Sequence, residues 1–340
     1  MGFFPRKAWE ETLGLLAHEF FHLWNVKRLR PAAFKPFDYG REQYTRLLWW
    51  FEGATSYFEN VLLVRAGILP EKRWLAHLGQ AFTQLERTPG AAKMSLEEAS
   101  LTAWVKYYRP DENSNNSAVS YYLKGELVAF ALDLALRGAG RSLDDLLRLL
   151  YARHAADGLP EDGVERAAAE LIGEGAAREF FDRYVRGTEP IEADLDRIGL
   201  KLRRRPAASL DDKGGTPAPK EDDDAVRPGW LGAIVPAGPK LEVAWVAEGS
   251  PAHRAGLYAG DEIVAEDGFR VDRAALWDRL CERGPGGVLR LTVFRRDELV
   301  NVEVTLGRLP EDTLWLEKVA EPTAAQRKAF GEWCRGAPAL

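Results

Sequence analysis

Apolar residues recur three and four positions apart through the first half of the chain, as in LVAFALDLAL (127–136) and SLDDLLRLLYARH (142–154). That spacing lines one face of an α-helix, and it predicts helices from Trp9 to about Tyr184. Ser142, followed by Asp144 and Asp145, predicts a helix start, because a hydroxyl accepts from free amides and carboxylates suit the positive helix end. The pattern breaks in RRRPAASLDDKGGTPAPKEDDDAVRPG, where proline, glycine and charge leave almost nothing apolar to bury, and residues 203–228 read as a linker. Beyond it LEVAWVA, DEIVAEDG and GVLRLTVFRR alternate, with glycine turns between them, which predicts strands. The expectation is a multidomain chain with a mainly α-helical domain over 1–202, the linker, and a β-rich domain over 229–309. A tail over 310–340 follows, in which TAAQRKAFGEWCRG reads as a short helix with Phe330 and Trp333 as packing residues.

Composition narrows the function classes. The 340 residues are 46% hydrophobic and 29% charged, as in globular proteins. A net charge of −6, from 46 basic and 52 acidic residues mixed along the chain, offers no basic face and argues against a nucleic-acid partner. No apolar stretch reaches the roughly 18 residues of a membrane-spanning helix, so no membrane insertion is expected. The start MGFFPRKAWEE lacks the ordered parts of a signal peptide, and Cys281 and Cys334 lie far apart. Both features suit a reduced, cytoplasmic location.

Candidate chemistry sits in LLAHEFFHLWNVKRLRP, residues 15–31, where two histidines and a glutamate interrupt an apolar run. Such groups are costly to bury unpaired. On a helix, residues four apart share a face, so His18 and His22 reach one metal ion while Glu19 leans toward the same pocket, the H-E-x-x-H arrangement. A catalytic zinc needs a third protein ligand and an open fourth position. In LLWWFEGATSYFENVLL, residues 47–63, Glu52 heads a second apolar helix and offers that ligand, with Glu59 and Glu42 as rivals. The competing reading makes His18 and His22 core histidines bonded to backbone. With only five histidines in the chain, chance assembly of the pattern is on the order of one in a hundred. Asn25, Lys27, Arg28 and Arg30, ending at Pro31, orient the metal helix or face substrate. DENSNNSAVS, 111–120, reads as a loop at the cleft rim.

HEFFHLWNVKRLRP, WWFEGATSYFENVLLVRAG and SYYLKGELVAFALDLALR follow one another as in glycyl aminopeptidase-type zinc peptidases, a gluzincin family that the chain resembles over nearly its whole length. The resemblance implies a thermolysin-like catalytic domain, one zinc ion on His18, His22 and Glu52, and Glu19 as catalytic acid/base. In SYYLKG, Tyr122 matches the tyrosine that steadies the tetrahedral intermediate in related aminopeptidases. Tyr121 is its nearest rival, and packing is the alternative role for either ring. The implied reaction is peptide hydrolysis, with zinc lowering the pKa of its water toward roughly 7. Glu19 carries the proton and Tyr122 donates to the oxyanion. The chain departs from the family at the front. Only 17 residues precede His18, where relatives carry a β-rich domain, a substrate-binding strand and groups that recognise the free α-amine.

GWLGA (229–233) and AEGSPAHRAGLYAGDEIVAEDG (247–268) resemble the PDZ domains of bacterial proteases. PDZ domains bind peptides by strand addition, and the resemblance assigns Leu231, Gly232 and Ala233 to the loop that captures a terminal carboxylate. Gly249, Gly256 and Gly260 read as turn residues, and Asp261 as a turn or strand-start residue. Two function classes follow. One is a zinc aminopeptidase that releases small N-terminal residues, glycine or alanine, from peptide substrates. The other is a PDZ adaptor that keeps a metal site without turnover and binds a C-terminal peptide ligand. An endopeptidase is a third reading, distinguished by cleavage of N-terminally blocked peptides.

Overall fold

In the computed structural model, which describes residues 4–218 and 227–335, helices follow the spacing of the first half. They are α1 (Arg6–Phe21), α2 (Thr55–Arg65), α3 (Glu71–Glu86), α4 (Leu96–Leu101), α5 (Ser114–Ser117), α6 (Tyr121–Gly138), α7 (Leu143–His154), α8 (Gly163–Ile172) and α9 (Glu174–Phe181). α6 runs through the middle, packed by α2, α3, α4, α7 and α8. Leu127, Val128, Phe130, Leu132, Leu134 and Leu136 are all fully covered, which is why its sequence reads apolar on every side. Ser120 caps α6 by accepting from the Leu123 amide at 3.3 Å. The predicted start of α7 is a full capping box: Ser142 accepts from the Asp145 amide, and Asp145 accepts from the Ser142 amide at 2.9 Å.

A π-helical turn, Trp49–Ala54, leads into α2. It lies against α6 at two glycines, where a Cβ built on Gly53 would stand 2.4 Å from the Gly125 Cα. The two backbones touch there because neither residue has a side chain.

The rest of the chain comprises β1 (Leu200–Arg205), β2 (Gly229–Trp230), β3 (Ala233–Ile234), β4 (Trp245–Val246), α10 (Pro251–Ala255), β5 (Glu262–Glu266), β6 (Phe269–Arg270), α11 (Arg273–Arg283), β7 (Val288–Arg295), β8 (Glu298–Thr305), β9 (Gly307–Arg308), β10 (Thr313–Lys318) and α12 (Ala324–Arg335). An antiparallel sheet of order β6-β5-β7-β8 carries a second core, in which Leu276, Leu280, Leu289, Leu291, Val293 and Val304 are buried.

Three expectations change. Residues 203–228 are not linker throughout, because Arg203, Arg204 and Arg205 complete β1, which pairs with β10 from Leu200↔Lys318 to Arg205↔Thr313. Residues 206–218 form a loop stapled by Asp212, which accepts from the Ala208 amide at 2.8 Å and the Gly214 amide at 2.9 Å; positions 219–226 lie outside the described residues. The tail from 310 is part of the helical region: β10 brings the chain back to α3, and α12 inserts Trp333 against Trp74, with ring centroids 4.1 Å apart. Trp333 Nε1 donates to Tyr57 Oη at 2.9 Å. The strand-rich unit is therefore an insertion between two paired strands, and local periodicity carries no sign of a partner on its far side. The stretch 111–120 is not all loop. Its α5 turn buries Asn116, which donates to Val246 O at 2.9 Å and accepts from the Glu248 amide at 3.0 Å, joining the two parts. No helix among the described residues is long and apolar enough to cross a bilayer.

Candidate metal centre

α1 presents His18 on its last turn, and His22 caps its C-terminus with helical angles, so the two imidazoles stay on one face. Glu52 comes from the π-helical turn. One of its oxygens, Oε2, lies 3.2 Å from His18 Nε2 and 3.3 Å from His22 Nε2. The three ligand atoms all fall within 4.8 Å of one another.

What stands behind the rings decides their chemistry. His18 Nδ1 is 2.7 Å from Glu59 Oε2, and His22 Nδ1 is 2.9 Å from Asn25 O. A carboxylate and a carbonyl only accept, so each Nδ1 carries the proton and each Nε2 turns a lone pair toward Glu52. Three acceptors then converge with no donor among them, an arrangement that a cation satisfies. The simplest such cation is a proton, and the electrostatics favour one there. Burial works against a charged His18, yet Glu52 and Glu59 push it up to about 9. His22 is also raised against burial, by Glu52 and the Asn25 carbonyl. Burial would raise the Glu52 carboxyl, but the two histidines hold it at about 2.

Glu59, a rival ligand on spacing alone, thus backs His18 from the opposite ring edge, and Glu42 is exposed and outside the group. Asn25 is fully buried; its Nδ2 donates to Trp50 O at 3.2 Å and Thr55 Oγ1 at 3.1 Å, tying the turn after α1 to the Glu52 turn. The next residue, Val26, sits at φ 144°, a conformation costly for a β-branched residue. Arg28 and Arg30 donate back to the carbonyls of Leu23 and Lys27, so they shape this turn.

Glu19 is exposed beside His18. Tyr122 is half-buried, its ring 6.2 Å from the His18 ring and nearly parallel to it. Tyr121 is buried, its Oη 3.5 Å from Tyr108 Oη, so only Tyr122 stacks on the metal group. Burial and the Glu52 charge both raise the Tyr122 phenol, which stays protonated. Tyr107 stacks on Tyr122 at 5.6 Å. Tyr107 and Tyr108 escape sequence reasoning; the aromatic run WVKYY was their only signal. In the strand-rich unit, Leu231, Gly232 and Ala233 edge a groove of about 460 Å³ that also meets Trp277 and Leu280 of α11.

Residues 11–128 match the family model described as M61 glycyl aminopeptidase, a stretch that includes His18, Glu19, His22, Glu52, Glu59 and Tyr122. The crystal structure of an aminopeptidase N family protein from Idiomarina loihiensis superposes with a TM-score of 0.86 at 32% identity, over 96% of this chain and 55% of that one. The chain therefore spans about half the length of that solved relative. Two proteins described as probable periplasmic serine endoprotease DegP-like, from Hahella chejuensis and Halomonas elongata, are 34% identical over 127 residues and 33% identical over 120 residues. The shared stretches make up 32% and 31% of this chain and 27% and 25% of those proteins. The paired histidines and Glu52 thus lie inside the stretch that is similar to the M61 glycyl aminopeptidase family, and the fold of almost the entire chain is similar to that of the aminopeptidase N family protein.

Proposed function

We propose that the protein is a zinc aminopeptidase that releases small N-terminal residues, glycine or alanine, from peptides. The observation that supports this most directly is the convergence of two Nε2 lone pairs and a Glu52 oxygen on one point. Held there by His18, His22 and Glu52, zinc would supply a Lewis acid that polarises the scissile carbonyl and acidifies water. Glu19 takes the proton of the attacking water and passes it to the leaving amine. Tyr122 donates its phenolic proton as a hydrogen bond to the developing oxyanion, a contact worth about 10²- to 10³-fold in rate. Glu59 and the Asn25 carbonyl hold the two imidazoles in the tautomer that leaves Nε2 free. The glycine preference follows the family.

The strand-rich unit we read as a PDZ domain that receives a peptide C-terminus at Leu231, Gly232 and Ala233, by strand addition to β3. The groove between β3 and α11 favours this second activity.

The test is metal content and hydrolysis of glycine p-nitroanilide by purified variants. Glu19→Gln keeps one equivalent of zinc and loses about 10²- to 10⁴-fold in kcat, whereas His18→Ala loses the metal. Undiminished turnover by Glu19→Gln would overturn the assignment, and cleavage of acetylated peptides would make the enzyme an endopeptidase.

A further inference from the structure

We infer that the groove between β3 and α11 selects peptide tails with an acidic residue two positions before a bulky apolar C-terminal residue, and that the chain's own Leu210 and Asp211 compete for that site. This rests on the peptide-binding reading of the strand-rich unit.

α11 turns Arg273, Trp277 and Leu280 to one side, the spacing of a helix face. Trp277 and Leu280 line the groove near the Leu231–Gly232–Ala233 loop. Arg273 stands at the other end, where its Nε donates to Val235 O at 2.8 Å, just past β3. Val235 lies three residues beyond Gly232, about 10 Å along a strand at roughly 3.3 Å per residue. Alternate residues of an added strand face the same way. If the last side chain of a docked peptide faces α11, so does the one two positions earlier, about 7 Å along and within reach of the Arg273 guanidinium.

The chain shows what that guanidinium accepts. Leu210 lines the groove and packs against the second core. The next residue, Asp211, takes both terminal nitrogens of Arg273, with Nη2 donating to Oδ1 at 2.7 Å. The pair is lopsided, the Arg273 side chain being 21% exposed and that of Asp211 70%. A solvated acid is thus exchangeable for one delivered by a ligand. The loop is held from behind by other atoms, since Arg87 Nη1 donates to Asp212 O at 2.7 Å and Arg205 pairs with the Asp212 carboxylate. Releasing Asp211 therefore need not unfold the loop. The remaining charges along the groove are already matched, Glu86 with Arg204, Asp312 with Arg87 and Glu248 with Lys93. Of the four pairs, Arg273 and Asp211 combine the most covered cation with the most exposed acid, so Arg273 sets the charge preference.

The experiment is fluorescence anisotropy on the full chain with fluorescein-Gly-Gly-Gly-Glu-Ala-Leu carrying a free carboxyl terminus, against the same peptide with Lys for Glu and against its C-terminal amide. The expected result is that the Glu tail binds more tightly than the Lys tail and that Asp211→Asn tightens the Glu tail about two- to fivefold, the size of an exposed ion pair. Arg273→Gln abolishes the difference between tails. Equal affinity for both tails, or no tightening in Asp211→Asn, with binding still dependent on the free carboxyl, overturns this inference and leaves the PDZ reading standing. If the amide binds as well as the acid, or if no probe binds Asp211→Asn, the PDZ reading fails and the inference fails with it.

Discussion

His18 is gripped at both ring nitrogens, and the two grips do different work. Glu52 shares the metal position with it, while Glu59 fixes its tautomer from behind. Glu59→Gln should leave the fold intact and weaken metal binding about 10- to 100-fold, readable by chelator competition; unchanged affinity would show that the Glu59 charge behind Nδ1 is dispensable. A second histidine offers a pH signature. Glu126, buried on α6, lies 2.8 Å from His77 Nε2, and its charge, acting against burial, pushes His77 up to about 9. His77 then holds its proton more tightly folded than unfolded, where its pKa is about 6.5. The pair's stabilisation is complete below pH about 6.5 and is lost as pH rises through about 9. The Tm gap between wild type and His77→Gln should be widest near pH 6 and close toward pH 10. Because the His77 side chain is 41% exposed, solvent screening keeps the gap small; a gap that grows with pH would contradict the pairing.

At the scale of elements, the candidate metal group depends on how closely the Glu52 turn approaches α6. FEGATSY and YYLKGEL each contribute the glycine that permits contact, and the same two segments carry Glu52 and Tyr122. Gly53→Ala should cost about 1–3 kcal/mol through overpacking and impair metal retention together with stability, as read by Tm and metal analysis. Retention of both would mean that the backbones separate without penalty. The sequence spacing showed Glu52 at the head of an apolar helix but not the π-helical geometry of the turn. Widened turns of this kind recur at functional sites, and no three-and-four period reports them.

The whole molecule is one helical region interrupted by a strand-rich unit between β1 and β10. α12 closes the helical core through Trp333, which touches Trp74, Phe130 and Tyr57. Trp333→Ala should therefore destabilise the helical part by about 3–5 kcal/mol and abolish the proposed peptidase activity at temperatures where the strand-rich unit stays folded. Circular dichroism beside a tail-peptide binding assay separates the two; a loss confined to peptide binding would place the tail on the wrong unit. The buried Asn116 links the units from the loop that leads into α6, so the PDZ reading and the peptidase reading concern surfaces joined by direct bonds.

Local chemistry was decided by the sequence alone. Helix and strand periods, the Ser142 cap and the four-residue histidine spacing act over a few positions, and the side chains concerned carry that information themselves. Tertiary structure decided which acid joins the histidines and which stands behind them, because Glu52 and Glu59 differ only in where the turn before α2 sets them relative to α1. It also decided that Tyr122, and not Tyr121, stacks on His18, and that residues 203–205 and the tail belong to one ribbon. Those outcomes depend on contacts between segments distant in sequence, which close only when buried surface and backbone hydrogen bonds repay the entropy of bringing them together.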